Sequence, residues 1–237
     1  MSSSGLEKTN LDVSPTTSAG IGFGRNKKWF LGIQYEYTKS SDFKNLFFER
    51  RNISYKGVYL KMKIPYANFK TRINDNEAVG GCTFIGGEWT DIDTTEIFDN
   101  KRIVVFALPG AFTPTCSSQQ LPGYEEKYGQ LKAYGIDEVY CLSVNDAFVM
   151  NAWFRDEKIE HVKAIGDGEG IFTQGMGMLV NKPKQGFGMR SWRYSMLVDN
   201  GEVKKIFEEP GKNNASDDDD PFTVSDVDTM IKFLKGA

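Results

Sequence analysis

Two short runs of apolar residues, Arg102-Ile-Val-Val-Phe-Ala-Leu108 and Val139-Tyr-Cys-Leu-Ser-Val144, constrain this chain more than anything else in it. A strand with one wet face alternates polar with apolar residues, and neither run does. Continuous apolar strands belong to sheets covered on both faces. Between the two runs, an amphipathic stretch from Tyr124 to Tyr134 closes at Gly135, and a helix through Phe148 to Phe154 follows the second run. Upstream, Glu88 to Thr94 is a short strand candidate ahead of a helix-like Thr95-Glu-Ile-Phe98. Downstream, Trp192 to Val198, the turn Asp199-Asn200-Gly201, and Glu202 to Glu208 spell a hairpin. Near the end, Val227, Met230, Ile231 and Leu234 keep helical i, i+3, i+4, i+7 spacing, with Thr223 or Ser225 available as a cap. Strands alternating with helices and then an antiparallel hairpin predict an α/β domain, a mixed sheet flanked by helices.

The first quarter of the chain has a different texture. Residues 1 to about 20 are rich in Ser, Thr and Gly and read as a flexible tail. From Lys28 to Thr38 the pattern alternates, with Trp29, Leu31, Ile33, Tyr35 and Tyr37 on one face. Val58, Leu60, Met62 and Ile64 repeat it more weakly. Such aromatic-rich strands resemble pieces of an outer-membrane barrel wall, but two or three strands cannot close a barrel. The same residues fit a mobile or loosely docked extension, or a fused leftover upstream of a natural start at Met62. The expected division is therefore an N-terminal extension over 1–61, β-rich or flexible, and a conventional domain over 62–237.

Composition limits the chemistry of that domain. In 237 residues there are 29 Lys and Arg against 32 Asp and Glu, a net charge of -3, which argues against binding nucleic acid or an anionic membrane by charge. No stretch of about 18 apolar residues occurs. Three cysteines are too few for a disulfide scaffold and point to the cytoplasm, and one histidine excludes a multi-histidine metal site. No bound cofactor is expected. Gly166-Asp-Gly-Glu-Gly170 lacks the register of a dinucleotide fingerprint and reads as a loop. Asp217 to Asp220 read as a solvated acidic loop, and His161 as a solvent-facing residue of a charged connector.

That leaves sulfur. Cys116 follows a buried strand and a Pro109-Gly110 break, in what should be the first turn of a helix. Free amide N–H groups and the helix dipole favour a thiolate there. Thr113 lies three residues earlier, and Pro109 and Pro114 stiffen the loop. By position alone, a cysteine in an apolar segment is also a common inert packing residue.

The wording of the segment carries more. Pro109-Gly-Ala-Phe-Thr113-Pro-Thr-Cys116-Ser resembles the active-site signature of the peroxiredoxins, P-x-x-x-T-x-x-C, in the version of the subfamily containing peroxiredoxin 5 and the plant type II enzymes. The resemblance runs from about Gly86 to Leu234 through Leu142-Ser-Val-Asn-Asp-Ala-Phe-Val-Met150, Gly175-Met-Gly-Met178 and Arg190-Ser-Trp-Arg193-Tyr-Ser-Met196. Ser191 to Met196 and Asp220-Pro-Phe222 to Leu234 are similar to bacterial hybrid proteins that fuse a peroxiredoxin to a glutaredoxin. The first 61 residues have no counterpart in that pattern.

The resemblance implies a thioredoxin-like fold and peroxidase chemistry on hydrogen peroxide and alkyl hydroperoxides. Cys116 would be the nucleophile that leaves as a sulfenic acid. Thr113 would hydrogen-bond the thiolate and the peroxide, Arg193 would stabilise the thiolate and the charge developing along the O–O bond, and Pro109 would shield the sulfur. Arg190 is a weaker candidate, expected in a loop. Cys141 matches the second cysteine of plant type II enzymes, but on a central strand it also reads as a core residue that could not reach Cys116 without local unfolding. Cys82 falls outside the matched pattern. The region from Glu208 to Phe222 lacks the late cysteine of animal peroxiredoxin 5. A one-cysteine scheme with glutathione or a glutaredoxin as electron donor is therefore expected, the glutaredoxin being supplied separately. The alternatives are a thioredoxin-dependent two-cysteine peroxidase using Cys141 or Cys82, and a non-enzymatic peroxide sensor or holdase-like protein. Subfamily resemblance also implies a homodimer.

Overall fold

The apolar run at Arg102 folds as expected of a strand with no wet side: Ile103 to Ala107 are all fully buried, alternate residues included. The computed structural model describes residues 62–73, 87–212 and 220–236, together with the backbone of four short strands nearer the N-terminus. The chain divides into two compact units, Met1–Met62 and Lys63–Ala237. In the first, β1 (Ile21–Phe23) pairs antiparallel with β2 (Lys28–Phe30), and β3 (Ser54–Tyr55) with β4 (Val58–Tyr59). The alternating pattern beyond Phe30, the Ser-rich tail and Cys82 lie outside the described residues.

The second unit begins with the hairpin β5 (Asn68–Ile73) and β6 (Glu88–Asp93), and a short helix α1 (Thr94–Phe98) capped by Asp93, whose carboxylate accepts the Thr95 and Glu96 N–H groups. Then come β7 (Arg102–Ala107), a π-helical segment over Cys116–Gln120, α2 (Leu121–Glu126), α3 (Tyr128–Ala133), β8 (Glu138–Ser143), α4 (Ala147–Asp156), β9 (Lys163–Gly166) and α5 (Ile171–Gly175). The chain ends with β10 (Leu179–Lys182), β11 (Gly188–Ser191), β12 (Tyr194–Asp199), β13 (Glu202–Glu208) and α6 (Val227–Lys235). Five strands form one sheet in the order β13-β12-β7-β8-β9. The three from β7 to β9 are parallel, and β12 runs antiparallel to both of its neighbours. This is the mixed sheet flanked by helices of a thioredoxin-like fold.

One face of the sheet carries Val104, Phe106, Val139, Cys141 and Leu197 into a cluster with Leu121, Tyr124, Trp153, Met230 and Leu234. Phe106 stacks on Tyr124 at 4.0 Å between ring centroids. Burying one such aromatic side chain contributes about 1.5–3 kcal/mol. Asn200 and Gly201, both at positive φ, make the turn between β12 and β13, as Asn-Gly in a two-residue hairpin loop should.

Local expectations fail in instructive places. Pro122 and Gly123, residues that by local rules interrupt a helix, lie inside α2. Proline has no N–H and its ring crowds the carbonyl four residues back. The backbone responds by widening to a π turn, in which the Leu121 N–H reaches the Cys116 carbonyl. α6 is capped by Asp226, which accepts the Thr229 N–H at 3.0 Å. Thr223 and Ser225, the expected caps, are taken by Glu209. Arg190 sits in β11 rather than a loop, paired with Val180. The hairpins β5–β6 and β10–β11 were not legible as pairs, because half of each carries neither strict alternation nor an apolar run.

Candidate active site

β7 hands the chain to a loop over 108–113 that turns helical at Pro114 and so places Cys116 in the first helical turn. Phe112 turns this loop with a positive φ of 59° and leaves its ring 54% exposed. Three contacts hold the loop. Thr113 Oγ1 donates to the Gly110 carbonyl at 2.8 Å, the Ala111 N–H donates to Asn145 Oδ1 at 3.0 Å, and the Ser117 N–H donates to the Thr113 carbonyl at 3.0 Å. Asn145, just past β8, is steadied by the Ser143 hydroxyl at 2.7 Å. Arg190 ties the same corner by donating to the Val144 and Phe187 carbonyls. Its partial burial pulls its pKa below the ordinary arginine value. Trp153 donates to Ser117 Oγ at 2.8 Å and fixes the first turn after the thiol.

Cys116 and Arg193 are both fully buried, and Arg193 Nη1 lies 3.6 Å from Cys116 Sγ. These residues are 77 positions apart. Arg193 precedes β12, whose register against β7 places Tyr194 opposite Ala107, so the sheet itself brings the guanidinium to the thiol loop. The same Nη1 also donates to Gln120 Oε1. The other edge of the guanidinium meets Asp220, with Nε donating to Oδ1 at 3.2 Å and Nη2 to Oδ2. Phe222 lies 5.6 Å beneath the guanidinium carbon, in cation–π range.

Glu209 anchors the segment that brings Asp220 and Phe222 in. It is buried and accepts the N–H groups of Thr223, Val224 and Ser225 and the hydroxyls of Thr223 and Ser225, all at 2.7–2.9 Å. Its own N–H donates to the Arg193 carbonyl at 3.1 Å. Burial works against its ionisation, but the donors from Val224, Thr223 and Ser225 outweigh burial and hold the carboxyl below the usual range.

Of the residues singled out in the sequence, Cys116 and Arg193 come together, Thr113 lies in the loop just before the thiol, and Pro109 is buried in the same loop. The Thr113 hydroxyl donates to the Gly110 carbonyl, which leaves its oxygen as an acceptor. Cys141 shares the apolar cluster with Cys116 and is fully buried. Burial, and then the nearby Cys116, push its thiol well above the ordinary cysteine value. His161 is exposed but not idle, with Nδ1 2.7 Å from Glu125 Oε1. Asp220, read as part of a solvated loop, is instead the partner of Arg193. Gln120, Asp220 and Glu209 carried no assignment. For Gln120 the signal was available, since four residues after Cys116 is one helical turn.

Among the described residues no group of three or more metal-ligating side chains occurs, and no helix is long and apolar enough to cross a membrane. The Redoxin family model matches residues 75–231, and a second model, BamG, matches residues 1–63. The hybrid peroxiredoxin hyPrx5 of Haemophilus influenzae is 54% identical over 172 residues, covering 73% of this chain and 64% of that protein. The chain thus spans less than two thirds of that relative's length. The peroxiredoxin sll1621 of Synechocystis is 50% identical over 177 residues, 74% of this chain and 90% of its own. Among solved structures, the 1-Cys peroxiredoxin antioxidant protein of Plasmodium falciparum superposes with a TM-score of 0.67 at 37% identity, covering 74% of this chain and 99% of that one. With these matches lying over the buried thiol–guanidinium pair, the chain belongs to the Redoxin family and, within it, to the peroxiredoxins.

Proposed function

We propose that the domain is a thiol peroxidase that reduces hydrogen peroxide and alkyl hydroperoxides through Cys116, with glutathione or a glutaredoxin as electron donor. The observation that carries this reading is the Arg193 guanidinium 3.6 Å from the Cys116 sulfur, both out of contact with water. A fixed cation there meets the charge that develops on oxygen as the O–O bond breaks, without reorganising solvent. The thiolate attacks the terminal oxygen of R–O–OH. The S–O bond forms as O–O breaks, sulfur loses two electrons, and RO⁻ leaves as ROH with a proton. Thr113 and Pro109 shape the approach, the first through its acceptor oxygen and the second by closing the base of the loop.

The sulfenic acid then needs an outside thiol. Cys141 is buried, and its raised pKa makes it a poor nucleophile in place. A glutathione thiolate displaces water from Cys116–SOH to give a mixed disulfide, and a second thiol releases the enzyme. The names hybrid and 1-Cys, borne by the Haemophilus and Plasmodium relatives, support this scheme. A homodimer belongs to the same reading, with the exposed Phe112 ring beside the site as surface for a second copy to cover.

Intact mass spectrometry after one equivalent of hydrogen peroxide, with and without glutathione, tests the proposal. Cys116 carrying glutathione is expected. A Cys116–Cys141 or Cys116–Cys82 disulfide would overturn the donor assignment, and peroxide consumption by Cys116→Ser would overturn the nucleophile.

A further inference from the structure

The Gln120 carboxamide is 1% exposed and only half satisfied. Its Oε1 accepts from Arg193 Nη1, the nitrogen that also contacts the Cys116 sulfur. Because a guanidinium has only donors, the amide cannot be turned the other way round. Nε2 is therefore a fixed donor, and it has no hydrogen-bond partner among the described residues. Leaving a buried amide donor unpaired is unfavourable, and such groups in native proteins mark a place where something else supplies the acceptor. Through the shared nitrogen, Oε1 lies within about 7 Å of the sulfur, taking a hydrogen bond of ordinary length.

Resting on the reading of Cys116 as the peroxidatic thiol, we propose that Gln120 Nε2 is the hydrogen-bond donor for the oxygen that sulfur takes from peroxide. Among the described residues the donor is unpaired. As the S–O bond forms, negative charge passes through the transferred oxygen, and the product is a sulfenic acid whose oxygen keeps lone pairs. That oxygen accepts from Nε2 in both, the O–O bond breaks as sulfur is oxidised by two electrons, and the departing RO⁻ takes up the proton the thiol released on ionising and leaves as ROH. Gln120 is thereby a catalytic residue, and Arg193 locks its amide in the one orientation that presents N–H. Gln120 follows Cys116 by four residues, one helical turn, within the segment Cys116–Gln120.

The test compares two reactions of Cys116 in the full chain: oxidation by hydrogen peroxide and alkylation by iodoacetamide. Alkylation needs the thiolate but transfers no oxygen, so the ratio of the two rate constants cancels changes in thiolate population. Gln120→Glu keeps an acceptor for Arg193 and loses the donor, while Gln120→Met loses both at similar volume. Both are expected to lower the ratio about three- to tenfold, the range for one neutral hydrogen bond. Gln120→His offers one acceptor and one donor and should restore most of it. A ratio unchanged in Gln120→Glu and Gln120→Met, with wild type oxidised normally, would overturn the assignment. Wild type that resists peroxide while alkylating normally would instead bring down the peroxidatic reading itself. Circular dichroism of each variant identifies any that fails to fold. Gln120→Glu and Gln120→His then decide the matter without Gln120→Met.

Discussion

Asp220 grips the Arg193 guanidinium from the side away from the thiol, so that Nε and Nη2 are spent on a carboxylate and Nη1 is turned to Cys116. The cation is completely buried and its partner carboxylate is 37% exposed. One edge of the fork is thus fixed by charge, and the other is shared between the Cys116 sulfur and Gln120 Oε1.

Replacing Asp220 by Asn keeps the shape of the clamp and removes its charge. Peroxide oxidation should slow several-fold because the guanidinium is less firmly aimed. Stability to urea should fall by about 1–2 kcal/mol, below the range for breaking a fully buried pair because Asp220 is partly hydrated. Stopped-flow oxidation and urea titration measure the two effects separately.

Arg193→Gln should be far more damaging to rate than to folding. Loss of one fixed charge-stabilising donor typically costs about 100- to 1,000-fold. Arg193→Lys should recover little of it, since a point charge cannot reach Asp220 and the sulfur together. Rate constants for hydrogen peroxide under second-order conditions provide the check.

Glu209 gives the protein a specific sensitivity to acid. Its folded pKa lies below the unfolded value of about 4.3, so its contribution is fully present above that pH and disappears as pH falls through the folded value. Glu209→Gln should be less stable at neutral pH by about 1–3 kcal/mol, because an amide group now faces N–H donors. The difference from wild type should shrink toward pH 3, as seen by denaturation at a series of pH values. Equal stability of the two proteins at pH 7 would contradict the role given to this carboxylate.

Cys141→Ser should retain peroxidase turnover with glutathione and a glutaredoxin. Its cost is in folding, about 1–3 kcal/mol for a hydroxyl placed in the apolar cluster, and thermal unfolding should show it. A large loss of turnover at unchanged fold would favour the two-cysteine scheme.

Gly175→Ala tests a close approach. A methyl group there would stand 2.6 Å from Pro65 Cβ and 2.8 Å from its Cγ, closer than packed carbons come. The segment before β5 must shift, which should cost about 1–3 kcal/mol while leaving the rate of Cys116 oxidation near wild type.

Sequence alone determined the elements whose signals are local. Ile103 to Ala107 could only be a doubly covered strand, Asn200-Gly201 could only be a tight hairpin turn, and Val227, Met230, Ile231 and Leu234 could only present one helical face. The wording from Pro109 to Cys116 likewise pointed to the thiol and Thr113, and the resemblance of Arg190 to Met196 pointed to Arg193. What tertiary structure decided was every relationship that depends on distance through space. Whether Arg193 is a surface cation or a buried one follows from the register of β12 against β7. Glu209, by holding Thr223 to Ser225, sets beside that arginine an Asp220 that reads in sequence as a solvated charge. Thr223 and Ser225 looked like helix caps because their side chains suit that role, but a buried carboxylate at Glu209 offers them a stronger acceptor, and Asp226 caps instead. The path at Pro122 is the same kind of case: local rules favour a break, yet packing of Leu121 and Tyr124 into the core outweighs it. The backbone keeps both by widening one turn, so that the Leu121 N–H reaches the Cys116 carbonyl.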